Sequence, residues 1–298
     1  MRGKPVLTLF VVVAVVRIVV AALLPMTEDE AYYFIWSRVP DFGYFDHPPM
    51  VAWIGLTTQL APGSVFVARL GTVVVALAFV PFSALLFRRA GLEGPTFLAA
   101  LWLANLSFCG LLFGSVTTPD VGMMVLWCAA LAEAAAALSG RPLRWLTAGL
   151  AVGLGLLSKY IVVLIRPVLL WGLIRGNPRQ LATPWPWLGL GVAFLAFLPH
   201  VVWNAQNDWV PFRHQASRGF RGAMTDAYAG DLPRAAKSQP GSDEYAVGAW
   251  FKNASPDALP VPKEKPSGVG AFVQRTVSFF GGMLLLWGFL LVPILGGL

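Results

Sequence analysis

Acids and a histidine cluster just after the first apolar run of this 298-residue chain. Glu28-Asp29-Glu30-Ala31-Tyr32-Tyr33 is followed at short range by Tyr44-Phe45-Asp46-His47-Pro48-Pro49. A carboxylate at a bilayer edge is partly desolvated yet within reach of a polar substrate, which suits a general base. Asp29 and Glu30 are therefore candidate bases, and the alternative is that these acids only cap the loop and keep it outside the membrane. Asp46-His47 sets a carboxylate beside an imidazole, ahead of two prolines that keep the pair out of a helix. The pair suits a phosphate, met by the imidazole, or a divalent metal, although two groups fall short of the three or more that a ligand set normally needs.

Three further positions carry charge where an apolar chain has little of it. Thr117-Thr118-Pro119-Asp120 reads as an ordinary helix start, with Pro in the first turn and Asp beside it. The turn is short, so Asp120 stays near the membrane surface and can join the acids of the first loop. Lys159 falls at a turn between two short spans, where it either faces the bundle and neutralises a lipid phosphate or snorkels outward. Arg17 lies eight residues before Pro25 and Arg166 seven after Lys159, a depth of about 10 to 12 Å below that surface for each. Matching depth points to a polar cavity lined by both arginines. Glu133 sits nearer the other end of its helix and is assigned to packing or snorkelling.

These residues must be positioned by helices crossing a bilayer. Hydrophobic residues make up 57% of the chain and charged ones 12%, about half the usual charged share. Runs near the roughly 20 residues of a spanning helix occur at Pro5 to Leu24, Val65 to Phe87, Pro95 to Phe113, Val121 to Leu138, Trp185 to Pro199 and Val277 to Leu298. Leu143 to Ile174 reads as two short spans meeting at Ser158-Lys159-Tyr160, because one continuous helix would bury Lys159 at mid-bilayer. The expectation is an all-α bundle of eight transmembrane helices, since only helices satisfy their own backbone in lipid. Arg2, Lys4, Arg88, Arg89, Arg141, Arg144, Arg175 and Arg179 then share one side, which the positive-inside rule makes cytoplasmic. The N-terminus is cytoplasmic on this reading, and the acidic loops face outward.

Met1-Arg2-Gly3-Lys4 before an apolar run also resembles a signal peptide, but the run is long and lacks a small-residue exit. It reads as an uncleaved first span. Within the first outer loop, Met50 to Leu60 fits a short interfacial helix that forms the floor of an external site. Residues 221–276 are rich in Gly, Pro, Ser and mixed charge and read as an outer loop with little regular structure. The positive-inside bias accounts for much of the net charge of +7, so no nucleic-acid partner is called for. Cys109 and Cys128 fall within spans, where they act as small apolar residues.

Asp29-Glu30-Ala31-Tyr32-Tyr33, Gly43-Tyr44-Phe45-Asp46-His47-Pro48-Pro49, Thr118-Pro119-Asp120, Leu157-Ser158-Lys159-Tyr160 and Trp203-Asn204-Ala205-Gln206 occur in the order seen in bacterial glycosyltransferase family 39. The chain resembles that family, related to protein O-mannosyltransferases and lipid A aminoarabinose transferases, over about residues 5–220. The resemblance implies a GT-C fold with residues 1–220 as the catalytic module and 277–298 as a final span. It also implies inverting transfer of a sugar from a polyprenyl-phosphate donor to a glycolipid or protein acceptor, at the outer face of the bacterial inner membrane.

By the same resemblance Asp29 is the base, Lys159 lies near the donor phosphate and Asp120 lines the same cavity with Asp46, Tyr32 and Tyr33. His47 stands where aminoarabinose transferases carry a phosphate-facing lysine, and its charge near neutral pH depends on its surroundings. Arg17 and Arg166 join the phosphate-binding set. Some relatives use a divalent metal, which keeps Asp46 and His47 as candidate ligands. Relatives continue with further spans and a soluble tail, so the resemblance leads to the expectation of a truncated chain. The rival readings are a transporter or flippase of the same lipid-linked sugar and a non-catalytic membrane homologue.

Overall fold

A computed structural model describes residues 4–219, and every regular element among them is helical. The first compact unit ends at Asn204 and the second begins at Ala205. The expected outer loop at 221–276 and the expected last span at Val277 to Leu298 lie outside the described residues.

Twelve α-helices are described. They are α1 (Lys4–Leu23), α2 (Glu28–Trp36), α3 (Met50–Ile54), α4 (Val65–Leu77), α5 (Phe79–Arg89), α6 (Gly94–Leu106), α7 (Phe108–Leu112), α8 (Pro119–Leu138), α9 (Arg144–Ser158), α10 (Ile165–Gly176), α11 (Pro184–Gln206) and α12 (Val210–Gly219). Four helical rods are long and apolar enough to cross a membrane: α1, α4 with α5, α8 and α11. Of the eight expected spans, the described residues supply these four rods as full-length candidates, and the eighth lies outside them. The stretch expected as a third span is broken at Ser107, whose extended backbone starts α7 and whose hydroxyl accepts from the Gly110 amide at 3.1 Å. The Leu143 to Ile174 stretch does divide at Lys159, but α9 has only 15 residues. That is about 22 Å of helix against a hydrocarbon core of about 30 Å.

The α4–α5 rod also has a step in it, at Ala78. Pro81 has no N–H to offer the Leu77 carbonyl, so the helical ladder is interrupted there. Arg17 on α1 uses this break. Its guanidinium donates to Ala76 O at 2.6 Å and to Gly110 O of α7 at 3.2 Å, with no solvent exposure.

Around α8 the packing is close because the facing residues are small. Ala129, Ala130, Ala151, Val152 and Ala193 form one core with Leu156, Val162 and Ile165. Gly149 and Gly153 of α9 meet Gly189 and Ala193 of α11, a small-xxx-small pattern on both helices that lets backbones approach. A Cβ on Gly149 would overlap the Gly189 carbonyl, whereas one on Gly191 meets nothing. Gly149→Ala is therefore expected to destabilise the protein by about 1–3 kcal/mol. Gly191→Ala on α11, the helix that crosses α9 at Gly149, is expected to be neutral or stabilising by up to about 1 kcal/mol. Thermal denaturation in detergent micelles compares the two directly.

Charge is sorted along α8. Asp120 opens the helix and Glu133 lies 13 residues on, about 20 Å away. Glu133 takes Arg144 at 3.0 Å and Arg89 at 3.4 Å, so the arginines gather at one end of the bundle and the acids of the first loop at the other.

Candidate active site

Three acids open α2, but only one turns inward. Thr27 caps the helix: its hydroxyl accepts from the Glu30 amide at 3.3 Å, and the Thr27 amide donates back to Glu30 Oε2 at 3.1 Å. This reciprocal box fixes the Glu30 side chain toward the bundle. There Arg69 of α4 donates to Oε1 at 2.7 Å and to Oε2 at 2.6 Å, and the Thr117 amide donates to Oε1 at 2.9 Å. Both partners of the ion pair are fully buried. Burial alone would raise the Glu30 carboxyl, but the hydrogen bond from Arg69 and the amides of Thr117 and Thr27 outweigh it and hold it below the usual carboxylate range.

Such a saturated carboxylate is poorly placed to accept a proton from a substrate. The expectation that Glu30 is a base gives way to a positioning role. It clamps α2 to α4 and to the turn before α8, and Arg69 extends the clamp to the carbonyls of Ala21, Leu24 and Pro25 at the end of α1. Asp29, next to it, is exposed. The clamp thus holds an accessible carboxylate at a fixed point beside the bundle.

The clamped turn leads directly to the second charged group. Thr117 is tied to Thr72 of α4 by a 2.7 Å hydroxyl contact, and Pro119 starts α8 as its first residue. Asp120 Oδ1 then accepts from Lys159 Nζ at 2.7 Å, with both side chains partly exposed. Lys159 ends α9 in an extended conformation, and the adjoining Ser158 hydroxyl donates to Pro119 O at 2.6 Å. A reachable ammonium beside one carboxylate can exchange that partner for a phosphate oxygen.

Asp46 and His47 come from the loop between α2 and α3. Tyr32 donates to Asp46 Oδ1 at 3.3 Å. Burial, then the Asp46 charge, pushes the Tyr32 phenol above its ordinary value, and the same two causes raise Tyr160. Asp46 is thus held by the hydroxyl of Tyr32 on α2. His47 is half-buried, its ring 5.9 Å from Tyr33 and 6.4 Å from Trp36. Tyr33 itself is in the core with Trp36, Val51 and Ala52, so it shapes the loop more than it lines a surface. Trp36 stacks on Tyr44 at 4.5 Å, and burial pushes the Tyr44 phenol up to about 12.

The expected interfacial helix is α3 with the 3-10 turn Gly55–Gln59, packed against α4, α8 and α9 and largely buried. Among the described residues no three His, Cys, Asp or Glu side chains converge on a metal position. Asp46 and His47 do not make a ligand set by themselves.

The two deeper arginines part company. Arg17 is closed off by the carbonyls at the helix breaks, so it joins helices and does not open to a donor phosphate. Arg166 is exposed in the first turn of α10. Matching depth along the helices thus goes with opposite exposure, Arg17 being buried and Arg166 exposed. Sequence reasoning missed Arg69, though a lone cation near the start of an apolar helix has to find a partner inside the bundle. It also missed His200, buried on α11 one residue after Pro199.

Comparison with known proteins identifies the family. Residues 46–203, more than half of the chain, match the family described as dolichyl-phosphate-mannose-protein mannosyltransferase. The matched segment holds Asp46, His47, Arg69, Asp120, Lys159 and His200, and Asp29 precedes it. A lipid A galacturonosyltransferase of Rhizobium johnstonii, RgtD, is 28% identical over 192 residues, 62% of this chain and 40% of the relative. A lipopolysaccharide core galacturonosyltransferase of the same organism, RgtA, is 32% identical over 213 residues, 66% of this chain and 40% of the relative. The chain thus spans about 40% of the length of the curated relatives it matches. No solved structure matches. With the family match covering more than half of its residues, this membrane protein belongs to the dolichyl-phosphate-mannose-protein mannosyltransferase family.

Proposed function

We propose that the protein is an inverting glycosyltransferase that moves a sugar from a polyprenyl-phosphate donor to a cell-envelope glycolipid. The observation that carries this is the Glu30 clamp, which puts the exposed Asp29 and the Asp120–Lys159 pair on elements joined through one buried carboxylate. A base and a phosphate-facing cation held on a rigid frame are what a single displacement requires. Asp29 takes the proton of the acceptor hydroxyl as that oxygen bonds to the anomeric carbon. The bond from that carbon to the phosphate oxygen breaks on the opposite face, and the polyprenyl phosphate leaves with the electron pair. Lys159 meets the growing charge on that phosphate, with His47 as the second candidate for the role.

The acceptor class follows the two relatives, named for lipid A and for the lipopolysaccharide core. The site faces outward because the arginine-rich end of α5, α8 and α9 is the opposite one. Mass spectrometry of envelope glycolipids from cells with and without the gene tests the reading. One sugar mass should disappear from a glycolipid when the gene is removed, and identical glycolipid profiles would reject it.

Lys159→Met is expected to cost about 2–4 kcal/mol of transition-state stabilisation, the value typical of a charge-stabilising donor. Steady-state transfer assays should show most of this loss in kcat/KM. Asp120→Asn, which leaves the ammonium in place, should cost less.

A further inference from the structure

One buried polar cluster has no part in the chemistry above. His200 and Asn204 lie one turn apart on α11, both fully buried. His200 Nδ1 is 2.6 Å from the Phe42 carbonyl, which can only accept, so Nδ1 carries the proton and donates. Nε2 is then the acceptor, and both the Tyr160 hydroxyl at 2.7 Å and Asn204 Nδ2 at 2.9 Å donate to it. Asn204 is aimed by a second bond to His200 O at 2.8 Å. The partners select the neutral Nδ1–H tautomer and occupy both ring nitrogens.

Trp203 completes the grip. Its ring fills the space where a Cβ of Gly43 would sit, and it lies parallel to the His200 ring at 6.2 Å. The segment held in this way, Phe42–Gly43, runs straight into Asp46 and His47 through a turn closed by the Tyr44 amide on His47 O at 3.2 Å. Tyr160 follows Lys159 in the chain. One imidazole therefore touches both the loop that carries Asp46 and His47 and the turn that carries Lys159.

We infer that His200 is a positioning residue of the transfer site: its neutral ring latches the Phe42 carbonyl and the Tyr160 hydroxyl to α11, fixing Asp46 and His47 relative to Lys159. The inference rests on the proposed role of those groups in holding the donor. His200 itself touches no substrate. Loosening the latch removes binding that ground state and transition state share, so it acts on donor KM more than on kcat.

The test uses the full chain in detergent micelles. His200→Phe is expected to raise donor KM about tenfold with kcat changed less than about threefold. Hydrogen exchange should rise in residues 41–47 and stay unchanged in α8. His200→Asn, which keeps a donor toward the Phe42 carbonyl, should recover most of the effect. Tyr160→Phe, which removes a single oxygen, should reproduce part of it and serves if His200→Phe fails to fold. In an Asp46→Asn background the His200→Phe effect on KM should shrink below about threefold, because both changes act on one loop. Unchanged KM, unchanged exchange in 41–47, or effects that simply multiply would each overturn the latch. A wild-type chain that transfers no sugar would count against the proposed function, and the exchange measurement then decides the latch alone.

Discussion

Asp29→Asn is expected to reduce sugar transfer by about 10²–10⁴-fold, the usual contribution of a positioned general base. The loss should fall on kcat, with donor binding retained, because the role proposed for Asp29 is on the acceptor proton and not on the donor phosphate. Asn keeps the size and the hydrogen bonding of the side chain but cannot take a proton. Asp29 is exposed in the first turn of α2, so the substitution should leave the fold intact. Asp29→Glu should restore part of the rate, since the carboxylate returns at a displaced position. Full transfer in Asp29→Asn would remove this residue from the mechanism and return attention to Asp46 or Asp120.

The second large effect concerns stability. Removing one partner of the buried Glu30–Arg69 pair leaves an uncompensated charge inside the bundle, at a cost of about 3–5 kcal/mol. Glu30→Gln and Arg69→Met should each lower the denaturation midpoint in micelles strongly. The double variant Glu30→Gln/Arg69→Met should recover part of the loss, since no charge is then left unpaired and the Gln oxygen still accepts from the Thr117 amide. A double variant as unstable as the two single losses added together would show that the groups do not act as a pair.

The pH dependence has a definite sign. The folded carboxyl of Glu30 is held below its ordinary value. Its contribution is therefore fully present above the unfolded pKa of about 4.3 and is lost as pH falls through the lower folded value. Between pH 7 and pH 5 this pair should contribute nothing to any change in the midpoint.

The local frame of the candidate site could be read from the chain because its signals are local. Pro119 and Asp120 mark the start of α8, and Ser158-Lys159 marks the end of α9. Both are set by residue types within one turn. Asp46 and His47 stand out because two prolines keep them off the neighbouring helix.

Partners chosen across the bundle were less legible. Leu9, Val13, Arg17 and Ala21 do form a buried stripe at four-residue spacing, but α1 is apolar on every face, so periodicity does not single that stripe out. Depth along the helix located Arg17, whereas its partners depend on breaks at Ala78 and Ser107 that hydropathy does not reveal. Glu30 and Asp29 are adjacent acids in one motif. The local box with Thr27 turns Glu30 inward, but the partner it meets there, Arg69, is 39 residues away. The His200 bond to Phe42 spans 158 residues and has no local signature at all.

The proposed function is bond-making transfer from a lipid phosphate, with inversion, at the outer face. It is tested most directly by giving the purified full chain a labelled polyprenyl-phosphate sugar and lipid A-type acceptor in proteoliposomes, then following both products. Free polyprenyl phosphate and labelled glycolipid are expected in equal amounts, with inverted anomeric configuration and with transfer by the Asp29→Asn protein reduced by about 10²–10⁴-fold. Movement of the intact lipid-linked sugar across the bilayer, with its phosphate bond unbroken, would contradict it.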